Sequence, residues 1–448
     1  MLTPNEVCDR LRKSGFQAWF VGGAIRDAIL RIKHSDTDIA TDAPVEKINE
    51  IFKDREIKLV GQSFLSFKID GIDLAMFRED KEQGLSDKNV IVKPGTLETD
   101  AARRDLTINS IFFDPDSGVV FDPNSGMKDL RDRVIRFVGN PKDRIFDDPN
   151  RIVRACRFRS QISGEFTSET SVALAEHSHL LEAHVHVQRL RVEILKAMKT
   201  KRASNFFRAL SDVGALKYIF PSLNNCMEVD GGVHHGESVF THNMLAGDDV
   251  DTKFPLVKLA AYLHDVGKPI SKRLNPNTGN VWFEGHDDTG AEILEQELRD
   301  LTFSNEEIAT ITGLVKLHMR ISFGMGPKAI RKLLRNLCES GLSYKDLLRL
   351  RHADMVANLR KSFDPKSFKD AVRKFRKEIV GNKNEPFNLK SLKVNGKNVM
   401  DTLGIQPGPN VGKILNSLFE EVLEDPSRNE KDFLIERIKI IWEEWWRK

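Results

Sequence analysis

The sequence predicts an α+β protein in which sheet is confined to a small head and everything after it is helical. Two observations carry this. In the first third, short apolar runs (AWFVGG, DTDIAT, FKIDGIDLAMF, SIFFD) alternate with helical patterns. From about residue 147 apolar residues recur at helical spacing instead; in HVQRLRVEILKAM, Val187, Leu190, Ile194 and Met198 form one stripe. A length of 448 residues suits several domains.

Composition narrows the class. Hydrophobic residues at 40% and charged residues at 30% describe a chain that folds around a core. The net charge of +3 does not by itself announce a polyanionic partner. The cations do cluster, in KTKRAS at 199–204, RKLLR at 331–335 and VRKFRKE at 372–378. Each cluster reads first as a solvated helix face, and together they allow a basic track. Cys8, Cys156, Cys226 and Cys338 form no CxxC pair, which fits a reducing compartment. The polar start MLTPNEVCDRLRKSG lacks the apolar core of a signal peptide, and no apolar run reaches the ~18–20 residues that cross a bilayer. A cytoplasmic location with no membrane partner is expected. No signal of an oligomeric state is present.

The stretch WFVGGAIRDAILRIKHSDTDIATD holds the first candidate site. Strand residues two apart project from one face, so Asp36 and Asp38 aim two carboxylates at one point. Such a pair repels itself unless a cation lies between, and Mg2+ suits a few carboxylates plus phosphate oxygens. Asp73, in GIDLAMF, is the candidate third carboxylate on a neighbouring strand. Gly22 and Gly23 end the strand AWFV and open the helix AIRDAIL, leaving backbone N–H groups open to a phosphate. Each half alone reads first as an exposed turn. The ordered combination is the specific signal.

That combination resembles the polymerase β nucleotidyltransferase superfamily, and the fuller form GGAIRDAIL…DTDIAT resembles its class II branch of tRNA CCA-adding enzymes and bacterial poly(A) polymerases. Later blocks agree in order. RRDLTINS is similar to the family's ribose-recognition motif, with Arg104, Asp105 and Asn109 at matching positions; FDDPNRIVRACRF is similar to its base-reading motif; QRLRVEILKAM, with Arg189 and Glu193, is similar to its neck helix. The resemblance implies a mixed-sheet, polymerase-β-like head, a nucleotide site that includes Arg26, and partners in tRNA, ATP and CTP.

The DDPNR chemistry can be checked directly. Cytosine and adenine each present an amino donor beside a ring-nitrogen acceptor, whereas uracil and guanine present the reverse. Asp148 accepting and Arg151 donating would match C or A and mismatch U or G. Arg154 and Arg157 follow at one-turn intervals, and the resemblance gives them contact with the nucleotide or a bracing role. Asp147 stands where the family usually has glutamate; its expected part is to orient Arg151. An N-capping acidic pair before a helix with Pro149 at its start accounts for the same residues.

A second constellation lies further on. FPLVKLAAYLHDVGKP puts His264 and Asp265 at the end of an apolar helix that Gly267 and Pro269 stop. His242 precedes it in FTHNM and Asp354 follows in RHADMVANLR. This order resembles the HD phosphohydrolase superfamily, and imidazoles with carboxylates suit a divalent transition metal. His286 and His318 are candidates to extend the site to a second metal. The resemblance implies phosphatase or 2′,3′-cyclic phosphodiesterase action on RNA ends; a metal-stabilised spacer without turnover is the alternative.

Residues 392–423, containing LGIQPGPNVGKIL, are similar to the C-terminal segment of CCA-adding enzymes. The turn and Lys413 could grip a backbone phosphate or simply start a helix. The expected organisation is a nucleotidyltransferase head at 1–140, a helical neck at 141–225, an HD metal-binding domain at 226–375 and a helical tRNA-binding tail at 376–448, with a Lys-rich linker near 376–390. The expected reaction is addition of C, C and A to tRNA without a nucleic-acid template. CC-only or A-only addition is the near rival, and the interval from 77 to 105, long enough for a flexible loop, leans against CC-only. Poly(A) synthesis, or an HD hydrolase with an inactive head, stands further off.

Overall fold

The computed structural model describes residues 1–31, 37–59, 66–80, 92–231, 236–274, 276, 280–322, 325–381 and 389–446. Two compact units divide the chain, Met1–Asn224 with Asp300–Thr302, and Asn225–Arg299 with Phe303–Lys448. No described helix is long and apolar enough to cross a membrane.

The first unit begins with α1 (Pro4–Lys13), β1 (Ala18–Val21), α2 (Gly23–Ile29), β2 (Asp38–Thr41), α3 (Val45–Ile51), β3 (Ile57–Leu59), β4 (Ser66–Ile69) and β5 (Ile72–Met76). The hairpin β6 (Arg78–Asp80) and β7 (Val92–Pro94) follows, then α4 (Leu97–Ala102), β8 (Phe112–Phe113), β9 (Val120–Phe121) and α5 (Gly126–Asp132). The main sheet runs β3-β4-β5-β2-β1-β8-β9. Only the β2–β5 pairing in it is parallel, so the sheet is mixed. Alternation along the strands builds two cores. Ile39, Leu74, Phe67 and Ile69 face Val7 and Leu11 of α1 and Ile48 of α3. Val21, Ala40 and Phe112 join Phe77 and the α4 residues Leu97 and Ala101 on the other side. Thr3 and Glu6 form a capping box before α1, with Pro4 opening it, which satisfies the first free N–H groups.

The rest of this unit contains β10 (Val134–Ile135), α6 (Pro141–Asp147), α7 (Asn150–Ile162), β11 (Glu165–Phe166), α8 (Ser168–His177), α9 (Val187–Ala197), α10 (Ser204–Asp212), α11 (Leu216–Ile219) and α12 (Pro221–Asn224). It is helical apart from the two-residue pair β10–β11. Leu190, Ile194 and Met198 are buried, as their stripe predicts.

The second unit runs α13 (Val239–Asp249), α14 (Pro255–Leu263), α15 (Lys268–Ser271), the hairpin β12 (Lys272–Leu274) and β13 (Val281–Phe283), α16 (His286–Asp300), α17 (Asn305–Leu317), α18 (Pro327–Glu339), α19 (Tyr344–Ala357), α20 (Pro365–Gly381), α21 (Gly396–Leu403), α22 (Pro409–Glu424) and α23 (Lys431–Trp446). Every residue of α14 from Val257 to Leu263 is buried, as a helix covered by α13, α17 and α19 requires. Val399, Leu418, Phe419, Leu434 and Ile438 knit α21, α22 and α23 around a core of their own. Two expectations change here. The Lys-rich interval is not a linker at its start, because α20 continues to Gly381; residues 382–388 lie outside the described residues. Pro269 does not simply stop a helix either, since it opens α15.

Candidate active site and metal centre

Gly22 ends β1 with φ +74°, a left-handed conformation that a side chain disfavours. A Cβ there would come 3.4 Å from Asp38 Oδ2 and 3.7 Å from Arg104 Nη1. A glycine backbone, a carboxylate and a guanidinium therefore meet at one end of the sheet. Parallel pairing matches Ile39 with Leu74 and Ala40 with Ala75. Asp38 and Asp73 each precede a matched residue and share the faces of Ala40 and Ala75, so both carboxylates project from one side. Asp38 is exposed, and Asp73 is ion-paired with Lys68 opposite it at 3.3 Å. Asp36 lies outside the described residues.

Arg104 is held from below. Its Nη2 lies 2.8 Å from Asp100, whose fully buried carboxylate also takes Arg103. Burial alone would raise the Asp100 carboxyl, but Arg104 and Arg103 hold it below its ordinary value. Sequence reading missed Asp100, a lone acid on α4 without a motif.

Asp105 organises the next layer. Its Oδ1 accepts from Asn109 Nδ2 at 3.1 Å, and its Oδ2 lies 2.8 Å from Arg154 Nη2. Arg154 Nη1 reaches Glu193 on α9 at 3.1 Å, and Glu193 also takes the buried Arg157. Burial works to raise both carboxyls, yet Arg154 holds Asp105 well below the usual range, and Arg157 with Arg154 holds Glu193 below it. Arg26, buried on α2, donates to Asn109 Oδ1 at 2.7 Å. Arg26 and Arg157 are thus enclosed among side chains, positions from which a guanidinium braces a site; Arg154 remains partly exposed.

At DDPNR, Arg151 Nη1 donates to the Arg144 carbonyl at 2.9 Å and to Asp147 Oδ2 at 3.2 Å. Aspartate at 147 therefore still reaches Arg151 despite its shorter side chain. Asp148 accepts from Arg189 at 2.7 Å with one oxygen and from the Asn150 backbone N–H at 3.1 Å with the other. That one carboxylate serves both the turn into α7, whose N-cap is Pro149 rather than an acid, and the brace to Arg189.

The second constellation assembles inside the second unit. Asp265 is its hub: Oδ2 lies 3.4 Å from His264 Nε2 and 3.8 Å from His242 Nε2, while Oδ1 lies 3.2 Å from His286 Nε2 and 3.8 Å from His318 Nε2. Asp354 Oδ1 joins the first group, 3.0 Å from His242 Nε2 and 3.7 Å from His264 Nε2. One carboxylate therefore faces two sets of donors, His242–His264–Asp354 and His286–His318. The ring nitrogens are presented with care. His264, His286 and His318 each turn Nδ1 to a backbone carbonyl three residues back, at 2.8, 2.7 and 2.6 Å. Donation there turns each Nε2 toward the acids, and these three buried Nε2 atoms make no hydrogen bond; each carries a lone pair in the neutral ring, a form that Asp265 works against at His264 and His286. Glu237, which carried no sequence signal, holds His242 Nδ1 at 3.0 Å. Burial and the neighbouring His264 push His318 down to about 3, the neutral form that a ligand needs. Buried imidazole nitrogens without hydrogen-bond partners, converging with two carboxylates, fit a divalent transition metal. Lys268 stands beside them, Nζ 2.6 Å from Asp265 Oδ2.

Gly267 allows this packing: a Cβ would sit 2.1 Å from the His286 carbonyl oxygen. The two histidine-bearing segments could not approach otherwise.

Cations expected on a basic track are partly spent inside the fold. Arg331 donates to the carbonyls of Leu423 and Glu424 at the end of α22, and Arg335 pairs with Glu339 and Glu420. Lys413, at the start of α22, is exposed.

Comparison with known proteins bears on the family of the chain. The profile "Poly A polymerase head domain" matches residues 18–136, "Probable RNA and SrmB- binding site of polymerase A" matches 165–227, and "tRNA nucleotidyltransferase domain 2" matches 281–438. The CCA-adding enzyme of Ligilactobacillus salivarius is 27% identical over 98% of this chain and 96% of its own. The CC-adding tRNA nucleotidyltransferase of Thermus thermophilus is 30% identical over 90% of this chain and 89% of its own. The crystal structure of the Bacillus stearothermophilus CCA-adding enzyme in complex with CTP superposes with a TM-score of 0.71 at 22% identity, covering 99% of this chain and all (100%) of that one. With a mixed-sheet head, an Asp–Gly–Arg cluster at its edge and near full-length relatives, the chain belongs to the class II tRNA nucleotidyltransferase family.

Proposed function

We propose that this nucleotidyltransferase adds C, C and A in turn to the 3′ end of tRNA, from CTP and ATP and without a nucleic-acid template. The observation that carries the reading is the meeting of Gly22, Asp38 and Arg104. It supplies room for a triphosphate against backbone, a metal ligand and a phosphate-pairing cation at one point. Asp36, Asp38 and Asp73 would hold Mg2+, which when bound supplies Lewis-acid activation of the attacking hydroxyl and stabilises the departing pyrophosphate. Arg104 pairs with the triphosphate. Asp105 and Asn109 meet the ribose, Asp148 accepts from the base amino group, and Arg151 donates to the ring nitrogen. Arg151 is suited to this because Asp147 and the Arg144 carbonyl fix its guanidinium, leaving its remaining N–H groups for the base. CC-only or A-only addition is the nearest alternative; residues 81–91 of the interval bearing on it lie outside the described residues. The tail helices α21–α23 favour a tRNA substrate over poly(A) synthesis. Recognition of tRNA by shape and backbone predicts steep loss of affinity with salt.

The same chain carries a second reaction in this reading, hydrolysis of a phosphate ester at RNA ends by the Asp265 centre. Three buried imidazole lone pairs converging beside one carboxylate support it. His242, His264, Asp265 and Asp354 would hold one ion, and Asp265, His286 and His318 a second; bound there, a divalent metal supplies an activated water.

The first test incubates tRNA ending at the discriminator base with CTP, ATP or both, and sizes the products. Three added residues only with both nucleotides support the proposal, two with both point to CC addition, and a long ladder with ATP alone points to poly(A) synthesis. For the second reaction, metal-dependent opening of a 2′,3′-cyclic phosphate should vanish in His264→Ala. Inactivity of the wild type with several metals would reduce the centre to a structural one.

A further inference from the structure

Two polar residues to which the sequence reading gave no role, Gln161 and Asp27, close a circuit around the head site. Gln161, on the last turn of α7, accepts from Arg157 Nη1 at 3.0 Å and donates through Nε2 to Asp27 Oδ1 at 3.3 Å. Asp27, on α2, in turn accepts from Arg26 Nε at 2.9 Å. With the contacts already described the path is continuous: Arg26, Asn109, Asp105, Arg154, Glu193, Arg157, Gln161, Asp27 and back to Arg26. Guanidiniums of Arg26, Arg154 and Arg157 also lie 4.7, 5.5 and 3.9 Å from the centre of the buried Phe158 ring. The circuit joins α2, which follows the glycine turn, to α7, which begins at the base-reading segment.

We propose that Gln161 is a positioning residue for nucleotide addition: through Asp27 it ties the triphosphate end of the site to the base-reading helix, so that both grip one nucleotide in register. The inference rests on the assignment of the head site above. The residue type is dictated by its neighbours. Arg157 only donates and Asp27 only accepts, so the link needs one planar end carrying both an acceptor and a donor. An amide has both. A carboxylate at 161 would satisfy Arg157 but confront Asp27, and an ammonium would do the opposite.

The test uses polarity reversal. Gln161→Glu is expected to lower kcat/KM for CTP addition to tRNA by about tenfold, the size of coupling usual within one hydrogen-bonded network. Adding Asp27→Asn to it removes the carboxylate–carboxylate repulsion: in wild type Oδ1 takes both Arg26 and Gln161, and a turn of the new amide sets its nitrogen toward the new carboxylate and its oxygen toward Arg26. The double variant should recover to within about twofold of wild type. A contact that only stabilises the fold would shift melting midpoints and leave kcat/KM unchanged. The proposal is overturned by a Gln161→Glu enzyme with wild-type kcat/KM, or by a double variant no better than the single. If wild type itself adds no C, the site assignment fails separately, and the circuit is read from CTP affinity by calorimetry across the same variants. Loss and recovery there support it; equal affinities sink it.

Discussion

Asp105 Oδ2 lies 2.8 Å from Arg154 Nη2, joining the loop after α4 to helix α7. Arg154 spends its other edge on Glu193. The head site thus rests on buried charges that need one another. Glu193→Gln removes the carboxylate paired with Arg157, which is nearly enclosed, and should cost about 3 kcal/mol in chemical denaturation.

The same charges set an acid limit. Asp100, Asp105 and Glu193 all sit below their ordinary pKa values, so the unfolded chain takes up protons first as pH falls. Their stabilisation is complete above the ordinary carboxylate range and is lost as pH drops through it toward the folded values. Urea midpoints should therefore fall steeply below about pH 4. A flat profile between pH 5 and pH 3 would contradict the charge network.

Asp38→Asn keeps the shape of the side chain and removes its charge. Outer partners of a metal typically matter about 10–100-fold, and a direct ligand should exceed that. Nucleotide addition is expected to fall more than about a hundredfold while tRNA affinity in a filter assay stays near wild type.

Metal analysis by mass spectrometry should find up to two transition-metal ions per chain, and Asp265→Asn should lower both sites together because its two oxygens face different histidines. Chelation should lower the unfolding midpoint. At a metal concentration of about 100 Kd the linked stabilisation is about 2.7 kcal/mol per site.

Gly267→Ala tests the close approach between the two histidine-bearing segments. Its methyl group would overlap the His286 carbonyl, so backbone must shift at an expected cost of about 1–3 kcal/mol. Metal content should fall with His286 displaced, whereas nucleotide addition by the head should persist.

What the sequence disclosed and what it hid divide along physical lines. Gly22, Asp38 and Asp73 were legible because strand alternation and the needs of a glycine turn are local rules. His242, His264, Asp265 and Asp354 were legible through chemistry scarce enough to stand out in three separate segments. Asp100, Glu237 and Gln161 were not, because each is an ordinary polar residue whose meaning comes from what tertiary packing sets beside it. Arg331 and Arg335 misled in the other direction: read as surface charge, they clasp the end of α22.

The single parallel pairing in the head sheet has a consequence for folding quality. Side chains alternate between faces, so a slip of one residue between β2 and β5 would send Asp73 through to the opposite surface while leaving most backbone ladder bonds intact. Such a molecule would keep its secondary structure and lose its chemistry, which makes activity per folded chain a more sensitive gauge of correct strand alignment than circular dichroism.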